Sequence, residues 1–123
     1  MRYRAGMDER STQPAEYWTP ERCYITEYLN RASLPSVSVA SARVEPGVTT
    51  ALHVVGVDEW YLIRSGHGLM QVGDREPWAV GPGDTVRIPR DSAQRITNTG
   101  TDDLLFFCVC VPRFTPGTYR VLE

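Results

Sequence analysis

The chain has 123 residues, 41% of them hydrophobic, and a formal net charge of -2. That size suits one core, and the charge balance offers no basic field for a phosphate backbone, which argues against nucleic acid as a partner. No apolar run approaches the length of a bilayer span, and Met1 to Glu9 is polar and charged rather than a leader, so the expected setting is the cytoplasm, without a membrane partner.

Residues 1–20 lack steady periodicity and contain Pro14 and Pro20, which predicts an arm with at most a short strand. Glu21 to Asn30 fits helix or strand equally. We therefore expect an N-terminal arm over residues 1–32, followed by one domain with a short C-terminal tail over 33–123. The arm's aromatics, Tyr17, Trp18, Tyr24 and Tyr28, call for burial, and a second copy of the chain would provide it, so a homodimer is expected.

From Val37 onward, short runs of β-branched and aromatic residues recur between turn signals: Val37–Val44, Thr49–Val54, Glu59–Arg64, Gly68–Val72, Trp78–Val80, Thr85–Ile88, Ala93–Thr97 and Leu104–Val111. The breaks fall at Pro46-Gly47, Ser65-Gly66, Gly73-Asp74, Pro82-Gly83 and Thr99-Gly100, where proline fixes φ and glycine tolerates a positive one. This spacing, with no long helical pattern, predicts an all-β antiparallel sandwich or barrel. There are no internal repeats.

All thirteen basic residues are arginine, so no lysine is present for a Schiff base. The three cysteines form an odd count in a chain expected to stay reduced, which argues against a disulfide framework. Cys108 and Cys110 share a strand face with Cα atoms about 6.5 to 7 Å apart. A disulfide needs Cβ atoms near ~4 Å, so these two are not expected to bridge. The favoured reading makes both small core residues; the alternative turns one thiol toward a site.

Strand alternation groups the polar residues. If His53 points inward so does Val55; Glu59 brings Tyr61 and Ile63; Gln94 brings Ile96 and Asn98. A few polar groups among apolar ones describe a small-molecule pocket, and equally a packed barrel with a satisfied polar cluster. Arg87 and Arg95 would anchor an anion if they faced inward, although parity sets Arg95 opposite Gln94. His67, beside two glycines in a turn, is expected at the surface.

The spacing carries a further signal. Gly47, five residues, His53-Val54-Val55, three residues, Glu59, six residues and Gly66 form one half of a pattern; Gly83, five residues, Pro89, then Asp91, Gln94 and Asn98 form the other. The chain resembles the small single-domain bacterial cupins, with Val55 and Gln94 where that family has two histidine ligands and Asp91 where it has glycine. The resemblance covers about Val37 to Pro112 and implies a double-stranded β-helix, or jelly-roll barrel, with His53, Glu59 and Gln94 converging in its lumen.

Three functional expectations follow from the resemblance. The leading one is a small-molecule-binding barrel with a weakened divalent-metal site at His53, Glu59 and Gln94, holding Mn, Fe, Ni, Co or Zn weakly and acting as an oxygenase or isomerase. The second is a metal-free acid–base enzyme of isomerase, epimerase or cyclase type using Glu59, His53 and Tyr61. The third is a non-catalytic ligand-binding or sensing barrel. Fold alone does not choose among them.

Overall fold

The computed structural model describes residues 14–123, so the expectations resting on residues 1–13 lie outside the described part. Its strands are β1 (Tyr17–Thr19), β2 (Cys23–Arg31), β3 (Leu34–Val44), β4 (His53–Val55), β5 (Asp58–Ser65), β6 (Gly68–Val72), β7 (Trp78–Val80), β8 (Thr85–Ile88), β9 (Gln94–Asn98), β10 (Leu104–Val111) and β11 (Tyr119–Val121). Among the described residues no helix is long and apolar enough to cross a membrane.

Two antiparallel sheets face each other. One has the order β1-β2-β3-β10-β5-β8, the other β11-β4-β9-β6-β7, so chain neighbours are repeatedly split between sheets as a jelly roll requires. The runs from Gly68 to Ile88 and from Leu104 to Val111 form strands as their composition predicts. The N-terminal boundary differs from expectation. Residues 17–31 are not detached from the barrel: β2 pairs with β3 along most of its length and carries β1 at the sheet edge. The stretch Glu21 to Asn30, ambiguous in sequence, is strand from Cys23 onward because Cys23 and Ile25 have an apolar face to cover.

The core lies between the sheets. Phe106, Met70, Ile88, Ile96, Leu104 and Val44 are fully buried there, each contributing roughly 1.5–3 kcal/mol by leaving water. A smaller cluster of Val55, Val57 and Cys110, covered by Phe114 and Tyr119, lies apart from it. The turns explain two motif positions. Gly66 has φ +85°, and a Cβ there would stand 2.7 Å from the Asp103 carbonyl oxygen. Asp91, at the family's glycine position, has φ 65°, a left-handed conformation that Asp tolerates better than most residues.

Candidate functional site

Cross-strand register arranges the inner face of the six-stranded sheet in rows. Glu59 lies opposite Ile88 on one side and Cys110 on the other, and Cys110 faces Ser38. In the next row Tyr61 faces Cys108, then Ala40, then Glu27. The β3 side chains in these rows, Ser38 and Ala40, and Ala42 in the row beyond are small, so the sheet surface is recessed. The opposite wall comes from β4 and β11, where Val121 pairs with His53 and Tyr119 with Val55. Between them is a cavity of about 360 Å³, near the lower end of the ~300–1,000 Å³ typical of ligand pockets.

Gln94 spans the gap between sheets. On its own sheet it is the register partner of His53. Across the gap its Nε2 donates to Glu59 Oε1 at 2.8 Å, and its Oε1 accepts the Tyr61 hydroxyl. Gln94 is fully buried, and both ends of its amide are satisfied. Tyr61 therefore meets Gln94 rather than pointing its hydroxyl at Glu59. Burial pushes the Glu59 carboxyl up to about 7, against the opposing pull of the Gln94 hydrogen bond and the His53 charge.

His53 is held at both nitrogens. Nδ1 lies 2.7 Å from the Ala51 carbonyl oxygen, which only accepts, so this nitrogen carries a proton. Nε2 lies 2.9 Å from Glu21 Oε1. Burial alone would lower the imidazole's affinity for its second proton, but the hydrogen bond and charge of Glu21, with help from Ala51 and Glu59, outweigh it and raise the value above that of an ordinary histidine. The ring stacks on Tyr119 with centroids 5.1 Å apart. Glu21 reaches this position from the turn between β1 and β2, where the next residue, Arg22, has φ 71°.

Glu21 is the functional residue that sequence reading missed. It lies in the stretch taken for an arm, outside any motif spacing, and its parity within a turn carries no signal. His53 and Glu59 both line the cavity, and Gln94 ties to Glu59 from behind. Asn98 supports the turn instead, donating to the Val44 and Asp102 carbonyls. His67 is exposed. Arg87 is exposed as well and Arg95 bonds Gln71, so neither offers the cavity an anion anchor. Cys110 is buried in the smaller core cluster and Cys108 packs against the larger one, as the core reading expects, and both also line the cavity, together with Cys23, as free thiols. Burial pushes Cys23 up to about 12 and the other two far above an ordinary thiol, which makes them neutral wall groups rather than nucleophiles.

A divalent ion at His53, Glu59 and Gln94 would need lone pairs on Nε2 and on Gln94 Oε1. Glu21 faces the first and the Tyr61 hydroxyl occupies the second. Among the described residues no group of three His, Cys, Asp or Glu side chains is spaced to hold a metal. In this arrangement the donor set does not fit the ion.

A β-barrel of two facing antiparallel sheets, joined by repeated crossings from one sheet to the other, defines the class of double-stranded β-helix barrels. The cupin domain family profile matches residues 40–110, and an uncharacterized protein of Methanocaldococcus jannaschii is 34% identical over 110 residues, 87% of each chain. The chain belongs to the cupin family. Among solved structures it is similar to the polyketide cyclase RemF of Streptomyces resistomycificus, with a TM-score of 0.78 and 16% identity over 95% of this chain and 87% of that one. It is also similar to Pac13, described as a unique nucleoside dehydratase, with a TM-score of 0.75 and 17% identity over 90% and 86% of the two chains. At these identities the likeness shows the fold.

Proposed function

We propose that the chain is a small-molecule enzyme that moves protons next to a carbonyl, with Glu59 as the base and the Glu21–His53 pair as the acid. The observation that carries this is the pairing of two unlike ionisable groups on facing walls of one cavity: a buried carboxyl poised near neutrality, and an imidazole that shares a proton with a second carboxylate. A base works best when its pKa is close to the ambient pH, and Glu59 meets that condition through burial.

In the forward step Glu59 takes a proton from the carbon beside the carbonyl. The proton shared between His53 Nε2 and Glu21 Oε1 passes through the Glu21 carboxyl to the carbonyl oxygen, giving an enol. Delivery of the Glu59 proton to the former carbonyl carbon of a 2-hydroxy carbonyl compound, with the adjacent hydroxyl proton going back to the pair, completes an isomerisation, whereas return to the original carbon gives solvent exchange alone. Loss of a neighbouring hydroxyl as water would make the same steps a dehydration. Ala51 fixes the ring and Tyr61 fixes the Gln94 amide, so Tyr61 is a positioning residue. Cyclase and dehydratase activities are named for two proteins of this fold.

The test is exchange of solvent deuterium into the α-carbon of a panel of small ketones, followed by NMR. The expected result is catalysed exchange that is insensitive to chelator and falls about 10²-fold or more in Glu59→Gln. Exchange unchanged in a folded Glu59→Gln variant would refute the assignment. Exchange abolished by chelator would instead return the divalent ion to the site.

A further inference from the structure

The charges around the cavity point to the kind of molecule it admits. Three carboxyl side chains line it, Glu21, Glu27 and Glu59, against one imidazole. Glu21 matches that imidazole directly. Among the described residues no arginine lines the cavity, and two that adjoin lining residues in sequence are engaged elsewhere: Arg22 with Glu123, and Arg113 with Asn30. The same walls carry the rings of Tyr17, Tyr61, Phe106, Phe114 and Tyr119. Aromatic faces attract a cation through the ring quadrupole, and a carboxylate beside them adds charge. An anion would meet two unmatched carboxyls without a free cationic donor, and like charges brought together repel.

We propose that the cavity takes a small, mainly apolar organic cation bearing an amine or quaternary ammonium group, and turns away anions. The inference deepens the preceding one, since it rests on this cavity being the substrate site; the substrate would then be a carbonyl compound that also carries an amine. Glu27, on β2 and exposed, stands toward the open side, while Glu59 is buried, so the two carboxyls mark an approach and a seat.

A bound cation favours the ionised form of Glu59, whose proton is released near pH 7. Around Glu59 stand Gln94 from β9, His53 from β4, Cys108 and Cys110 from β10, Tyr61 on its own strand and Glu21 from the β1–β2 turn. The thiols and the phenol stay neutral. His53 loses its proton as pH rises, which also makes the cluster more negative. Both changes act in one direction, so affinity for a cation of fixed charge increases from about pH 6 to about pH 8.

The experiment titrates the full chain with benzyltrimethylammonium, benzyl alcohol and benzoate, three probes that share a phenyl ring and differ in charge, followed by methyl NMR shifts of Val55 and Val121 and by calorimetry. At about pH 8 the ammonium probe is expected to bind roughly tenfold or more tightly than the alcohol, with benzoate weakest. Glu27→Gln and Glu59→Gln should each weaken the ammonium probe several-fold more than they weaken the alcohol, and Glu59→Gln should flatten the pH dependence. Benzoate binding as well as the alcohol, equal binding of alcohol and ammonium, or no binding by any of the three would each overturn the inference. Isotope exchange keeps the two proposals separate. Exchange on neutral ketones without cation preference sinks only this one, and cation preference without exchange sinks only the catalytic reading.

Discussion

Glu59 makes the sharpest residue-level prediction because its environment changes between folded and unfolded chains. A carboxyl held above its ordinary value of 4.5 in the fold adds stability below that value and loses it as pH rises through about 7. His53 is also raised, so its contribution is present at low pH and fades as pH climbs through its elevated value. Both groups therefore make the protein less stable from mildly acidic to mildly alkaline conditions. Glu59→Gln preserves an acceptor for Gln94 without the buried charge. It should be more stable than the parent by roughly 2–3 kcal/mol at about pH 8 and nearly equal at about pH 4, as read from denaturant melts. A parent whose stability does not fall over that interval would contradict the burial argument. His53, Glu59 and Gln94 were legible as a set because motif spacing and strand parity place each one. Glu21 was not, because its position depends on a turn closing against β4, which no local pattern encodes.

Turn residues decide how the elements meet. Gly66 joins β5 to β6 with a positive φ, and the backbone of Asp103 and Leu104 approaches too closely for any side chain. Gly66→Ala should therefore destabilise by roughly 2–4 kcal/mol, combining left-handed strain with a backbone clash; a loss below about 1 kcal/mol in thermal or denaturant melts would show that the turn relaxes. Asp91 shows the milder case, a family glycine replaced by a residue that bears the same conformation. Most strands were readable from β-branched runs bounded by such turns. β2 was obscured because Glu27 occupies a cavity-facing position and register shifts interrupt its pairing with β3, so the alternation expected of a half-buried strand is broken. The three-residue strand β11 is too short for any period, and its pairing with β4 sets it.

At the scale of the molecule, the outer face of the six-stranded sheet carries several exposed apolar side chains. Trp18, Tyr28, Leu62 and Leu105 are each more than a third exposed. Trp18 packs edge-on against Tyr24, which lies under Arg43, and Tyr28 leans on Phe107. The aromatics of β1 and β2 are thus only partly covered by their own barrel, and we expect a second copy to cover them. Light scattering at micromolar concentration should give twice the chain mass, and Leu62→Glu should halve it. A monomer in the parent protein would remove the dimer.

The cavity draws Glu21 from before β2, His53 from β4, Glu59 from β5 and Tyr119 from β11, with Gln94 of β9 tying the walls together. No contiguous stretch of chain holds even a partial version of it. Antiparallel barrels built on distant pairings close slowly, since loop entropy is lost before the contacts that compensate for it form. Binding competence should therefore emerge only at the final closure of the barrel, so that a ligand acts as a reporter of complete maturation and finds nothing to hold in a half-formed chain.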